Sequence, residues 1–197
     1  PVRGGGFNVT TKRGETFLGR RVIANVPVWN LPGLLETSPA PRPERHVDRC
    51  APRVAGALER AGTGWGACCL YIGLKEAALP GGLWLHHQVL QRYGAGYEDA
   101  ESVFLSLSPS GDTASAPRGR RTLNISTHTG AAGWFDLPRE EHEDRKDQVR
   151  KRMLEAARTV IPNLDEGIEV IETATPRVWE AFTQRARGQV GGLRGTP

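Results

Sequence analysis

Three short groups of residues have the types that could do chemistry. His86-His87 are adjacent imidazoles, Ser126-Thr127-His128-Thr129 sets a hydroxyl two residues from an imidazole, and Cys68-Cys69 is an adjacent thiol pair. Each meets a geometric objection. Neighbouring residues on a strand point to opposite faces, so His86 and His87 cannot easily grip one metal ion together. A structural histidine is the other use of either ring, and no metal is expected. Ser126 and His128 share a strand, but the sharp Gly-x-Ser-x-Gly elbow that a hydrolase needs is missing. Cys50, Cys68 and Cys69 make no Cys-x-x-Cys pair, and small buried apolar residues are their simplest role. Their odd number, with no secretory signal, points to a reducing cytoplasm. No triad or carboxylate pair stands out, and no residue is assigned a catalytic role.

The glycines are as informative. A nucleotide pyrophosphate needs a strand, a Gly-x-Gly-x-x-Gly turn and a helix N-terminus. Gly62-Thr63-Gly64-Trp65-Gly66 has the wrong spacing, and Gly94-Ala95-Gly96 is a lone Gly-x-Gly between polar residues, which reads as a turn.

The elements that must position these groups follow from composition and periodicity. The 197 residues suit one ordinary domain, and 24 glycines with 14 prolines suggest strands joined by many turns. The fold class expected is α+β, a mostly antiparallel sheet covered by helices. Phe7 to Thr11 and Arg21 to Asn25 flank the polar turn Lys12-Arg13-Gly14-Glu15 as a strand pair. Trp29 to Leu35 is an apolar run, Ser38 to Pro43 a proline-rich break, and Val47 to Arg60 a short helix behind Pro52. Ala67 to Leu74 reads as a central strand. Leu83 to Leu90, Ser102 to Ser108 and Thr122 to Thr129 are further strands, with Leu105, Leu107, Leu123 and Ile125 alternating against polar neighbours. Pro138 to Val160 is the clearest helix, with Val149, Met153, Ala156, Ala157 and Val160 as its buried stripe. Glu141 with Arg145 and Asp147 with Lys151 are spaced for i,i+4 pairs. Ile168 to Thr173 is a final strand, and Thr175-Pro176 opens a last helix as N-cap and first residue.

Charge excludes little. Net charge is +4, but basic residues are spread among acidic ones without an aromatic-interleaved stripe, so no nucleic-acid partner is expected. A mildly basic face suits anionic lipid headgroups, and with no run of about 20 apolar residues any membrane contact would be peripheral.

Five segments in order carry a resemblance. They are Gly66 to Lys75, Leu85-His86-His87-Gln88, Phe104 to Pro109, Ala116-Pro117-Arg118-Gly119, and Thr175-Pro176 through Gly191-Gly192. Together they resemble the second half of the flavin-dependent carotenoid desaturase and isomerase family, the bacterial phytoene desaturases and their relatives. The nearest look-alikes are the carotenoid 3',4'-desaturases and the desaturase-like ketolases. The resemblance implies the substrate domain of a flavin amine-oxidase-like oxidoreductase. It implies a C-terminal-half fragment, the substrate-side portion of a larger FAD enzyme, that does not keep FAD without the missing flavin-binding domain. On this reading residues 1–43 are a remnant of the flavin domain, 44–175 the substrate domain and 176–197 the start of the return segment.

The same resemblance implies site residues. Asn25, Pro27, Gly188, Gly191 and Gly192 would lie near flavin, although a strand end at Asn25 and a terminal tail after Thr183 are simpler alternatives. Tyr71, His86, His87, Phe104 and Trp179 would approach a carotenoid polyene, a long apolar rod whose site should be an aliphatic and aromatic tunnel. Trp65, Trp84 and Trp134 are further lining candidates, and ordinary packing is the alternative for each. A non-catalytic lipophilic-ligand or membrane-associated module, or an inactive truncated product, is the competing reading of function. Cytoplasmic placement with peripheral membrane contact is the expected location.

Overall fold

The protein is described by a computed structural model that covers residues 6–36, 56, 64–94, 96 and 99–191. Its contacts divide the chain into two compact units, Pro1–Gly62 with Gly192–Pro197, and Thr63–Gly191.

In the first unit β1 (Phe7–Thr10) pairs antiparallel with β2 (Thr16–Gly19). The second strand therefore comes earlier than the expected Arg21 to Asn25. The loop closes on itself: Thr11 N–H donates to the Glu15 carbonyl at 2.8 Å and Gly14 N–H to the Thr11 carbonyl at 2.9 Å. Gly14 takes φ +87°, a conformation glycine adopts without penalty, and pairing resumes at once with Thr10 opposite Thr16. The apolar run after Pro27 is a 3-10 turn (Val28–Asn30) leading into the short helix α1 (Leu31–Glu36). The proline-rich break at 38–43 lies outside the described residues, as does the helix expected over 47–60 apart from Gly56.

The second unit is built on a five-stranded sheet in the order β4-β5-β6-β3-β7, with every neighbouring pair antiparallel. The strands are β3 (Trp65–Lys75), β4 (His86–Leu90), β5 (Ser102–Leu107), β6 (Arg120–Gly130) and β7 (Ile168–Ala174). The α+β, antiparallel expectation holds. The β3 strand is interior, and its 11 residues pair without interruption along β6, Trp65 opposite Gly130 and Lys75 opposite Arg120. Side chains alternate along such a ladder, so one face collects Cys68, Leu70, Ile72 and Leu74 with Val103, Leu105, Leu107, Leu123 and Ile125, all buried. Helix α2 (Arg139–Arg158) completes this core with Val149, Met153, Leu154, Ala156 and Ala157. The turn α3 (Leu164–Gly167) leads into β7, and α4 (Pro176–Thr183) follows it.

Several side chains depart from their expected roles. Arg145 does not take Glu141 as its partner on the helix surface. It turns inward, donating to the Gly133 carbonyl at 2.7 Å and to Asp99 Oδ2 at 3.3 Å, with its guanidinium 4.5 Å above the Trp134 ring. Trp134 is fully buried rather than a lining residue. Its Nε1 donates to Thr129 Oγ1 at 2.9 Å, and that hydroxyl donates to Asp99 Oδ1 at 2.5 Å. His142 meets the same indole edge-on at 5.5 Å, and Arg177 donates to the carbonyls of Trp134 at 2.7 Å and Leu137 at 2.6 Å. Thr175 precedes α4 as expected but its hydroxyl does not cap the helix. It hydrogen-bonds His142 Nε2 at 3.3 Å, while its carbonyl accepts from Val178 and Trp179 N–H.

Because Trp134 joins β6, α2 and α4 through stacking and hydrogen bonds, Trp134→Ala is expected to lower unfolding free energy by about 3–5 kcal/mol. Trp134→Phe, which loses the N–H to Thr129 but keeps a ring, should lose about 1–3 kcal/mol. Urea unfolding of the two variants checks the order.

Candidate functional site

The alternation that fills the core leaves the opposite face of the sheet with Trp65, Ala67, Cys69 and Tyr71 on β3, Ser126 and His128 on β6, Phe104 on β5, and Gln88 and Leu90 on β4. A cavity of about 680 Å³ lies over this face, lined by these strands and by Val190 and Gly191. Register explains who meets whom. Ser126 stands opposite both Phe104 and Cys69, and His128 opposite Ala67. The His128 ring meets Trp65 edge-on, centroids 5.9 Å apart at 77°.

The chain after α4 forms the far wall. Trp179 Nε1 donates to the Ala67 carbonyl at 3.0 Å, which ties α4 across β3. Val190 N–H donates to the Trp65 carbonyl at 2.8 Å, and Gln189 Oε1 accepts the Gly64 N–H at 3.0 Å. Gly188 has φ +58°, and a Cβ there would stand 1.9 Å from the Pro176 carbonyl oxygen. Its lack of a side chain is thus used to bring the returning backbone against the start of α4.

The expected site residues fall in different places. Phe104 and Gly191 line the cavity. His86 stacks on Phe104, centroids 5.7 Å apart and planes 12° apart, on the cavity side of β4. His87 alternates to the other face and bonds the Trp84 carbonyl through Nε2 at 3.0 Å. The two imidazoles do not converge. Tyr71 and Trp179 line a second recess of about 290 Å³, with Val178 and Phe182 of α4. Asn25 and Pro27 belong to the first unit, and Gly192 lies outside the described residues. Trp84 is 80% exposed, and Trp65 is the lining tryptophan. Gln88, Leu90, Ser102 and Val190 also line the cavity without being singled out by the sequence, and Ser126 and His128, which in sequence suggest only a hydrolase pair, join them. The period-two alternation of β5 and β6 was the signal available, because it puts Ser126 and His128 with Phe104, opposite the leucines.

The first turn of α2 carries Glu140 and Glu141, which repel a pyrophosphate, and the space beside Gly188 is filled by the Pro176 carbonyl.

No protein family model matches the chain. Similar proteins do. The chloroplastic prolycopene isomerase of Arabidopsis thaliana is 29% identical over 188 residues, covering 93% of this chain and 30% of that protein. Prolycopene isomerase 2 of an Oncidium hybrid cultivar is 25% identical over 191 residues, 95% of this chain and 31% of that protein. The enzyme of the same name from Daucus carota is 24% identical over 198 residues, 98% and 31% respectively. The chain therefore spans about 30% of the length of these relatives. They bear out the resemblance to the carotenoid desaturase and isomerase family. Their names place those proteins in the chloroplast, not the cytoplasm. Among the described residues no helix is long and apolar enough to cross a membrane.

The cavity face also carries titratable groups. Burial pushes the Cys69 thiol from its usual value near 9 to about 11, against a lowering hydrogen bond with Tyr71. Cys68, on the core face, is raised further by burial and then by the charge of Asp99, and burial raises Tyr71. A group that holds its proton more tightly when folded supports the fold fully below its unfolded pKa. Stability is therefore expected to fall as pH rises from about 9 to about 11. The urea midpoint across that window checks this, and Cys69→Ala should shallow the decline.

Proposed function

From a chain that is a relative of the carotenoid isomerases and desaturases over almost its whole length, we propose that Thr63–Gly191 forms the substrate wall of a carotenoid-modifying oxidoreductase, acting on a polyene of the prolycopene kind. The observation that carries the reading is the two-faced sheet. One face is sealed by α2, while the other holds a cavity of about 680 Å³ walled by Trp65, Leu90, Phe104 and Val190. A rigid apolar rod gains by leaving water for such a surface, and aromatic faces suit a conjugated chain.

The wall's part in the reaction is to bind, orient and desolvate. FAD, when bound, would supply the electron chemistry. Trp65 and Phe104 hold the polyene plane, and the Val190–Gly191 backbone limits its approach to the sheet.

The test is a titration of the 197-residue chain with prolycopene in detergent micelles, read by induced circular dichroism in the visible band, with FAD retention measured in parallel. The expected result is a saturable polyene signal without retained flavin. Ser126→Trp, which fills the cavity, should abolish that signal while the far-ultraviolet spectrum stays unchanged. A chain that binds no polyene sinks the reading.

A further inference from the structure

We propose that the recess beside α4 binds a quaternary ammonium group, a trimethylammonium head of the choline type. This hollow is not the polyene cavity, and the inference stands on its own residues. The recess has a volume of about 290 Å³ and is walled by the rings of Tyr71, Trp179 and Phe182 together with Glu172. Aromatic faces and one carboxylate around a small hollow are the ingredients that hold a cation carrying no N–H.

Register and helical spacing bring these groups together. Tyr71 on β3 stands directly opposite Glu172 on β7, so the two side chains leave the open face of the sheet as neighbours. Trp179 and Phe182 are three residues apart on α4 and share one side of it. The Trp179 indole is held by its N–H, which donates to the Ala67 carbonyl at 3.0 Å. Phe182 lies in the last turn of α4, where the helix dipole adds partial negative charge.

None of these groups is already spent. Among the described residues the three rings stack on no other aromatic side chain, no arginine or lysine lies over them, and the Glu172 carboxylate has neither an ion pair nor a hydrogen bond. Trp134 shows the contrast, because the Arg145 guanidinium occupies its face at 4.5 Å. The kind of cation follows from what the recess lacks. An ammonium or a guanidinium gives up water at several N–H groups and needs several acceptors in return, whereas this recess offers one carboxylate and one phenol. A methylated nitrogen has no N–H to satisfy, so aromatic faces and a single counter-charge suffice.

The test follows the Trp179 indole N–H by heteronuclear NMR of the full chain, assigned with Trp179→Phe, while tetramethylammonium chloride is added. Sodium chloride and guanidinium chloride at equal ionic strength are the controls. A saturable shift with tetramethylammonium alone is expected. Glu172→Gln and Phe182→Ala, both at exposed positions, should each weaken that binding about threefold to fivefold with an unchanged urea midpoint. Two further arms identify where the group comes from: choline in the same NMR titration, and sedimentation with phosphatidylcholine vesicles against phosphatidylglycerol vesicles. Choline binding without sedimentation assigns a free solute, and sedimentation with phosphatidylcholine that choline reverses assigns a lipid headgroup. The proposal is overturned by the absence of a saturable shift, by an equal shift with sodium or guanidinium, by an affinity that both substitutions leave unchanged, or by failure to bind both choline and phosphatidylcholine. Each of those results leaves the polyene reading standing, since that reading concerns the larger cavity.

Discussion

Everything in the sheet unit depends on the uninterrupted pairing of β3 with β6. That 11-residue antiparallel ladder fixes, at every step, which side chain meets the core and which meets the cavity. A slip of one residue would send Leu123 and Ile125 to the open face and bury Ser126 and His128 against α2, exchanging a transfer gain for a desolvation cost. The two faces are therefore one decision. The apolar drive that buries Leu70, Ile72 and Ile125 is the same force that aims Trp65, Ser126 and His128 into the cavity.

A second constraint sets where the cavity's far wall stands. β7 is an edge strand, and the chain leaving it must be turned back across the sheet. Thr175 is fully buried, with its side chain on His142, and Arg177 reaches carbonyls around Trp134. Those contacts link the start of α4 to α2 and to the end of β6. The same Trp134 cluster holds Asp99 and Ala100 at φ 47° and 71°, values that residues with a Cβ adopt at some cost. Asp99 is compensated by Arg145 and Thr129, and Ala100 N–H by Thr129's neighbour Thr127 at 3.0 Å. Packing on the core side thus decides the approach of Val190 and Gly191 on the other.

Period-two patterning made most strands legible, because β5 and β6 bury one face and wet the other, and the helix over Arg139–Arg158 was legible for the same reason at its own period. What escaped depends on partners distant in the chain. Arg145 looked like a surface cation because Glu141 sits four residues away, but its partners are Asp99, 46 residues back, and the indole of Trp134. Thr175 had the type and place of an N-cap, and no local pattern announces that His142 will take its hydroxyl. The early β2 strand was missed because the apolar run at Val22 outweighed the weaker Thr16–Gly19 segment, whereas the tight loop at Gly14 favoured the nearer partner. In the cavity, Phe104 was legible by resemblance. Ser126 and His128 were visible as chemistry but not as neighbours of Phe104, since that adjacency exists only once β5 and β6 are in register.

The open face also carries exposed aromatic side chains. Tyr71 and Phe104 are each about 40% exposed, and Phe182 projects from α4 at 86%. Apolar side chains that border a cavity gain when a ligand removes them from water. A polyene in the larger cavity would cover Phe104. The Tyr71 recess is lined by Trp179, whose indole is bonded to the Ala67 carbonyl, together with Val178 and Phe182. The sheet thus carries two hollows with different linings, one around Trp65, Phe104 and His128 and one around Tyr71, Trp179 and Phe182.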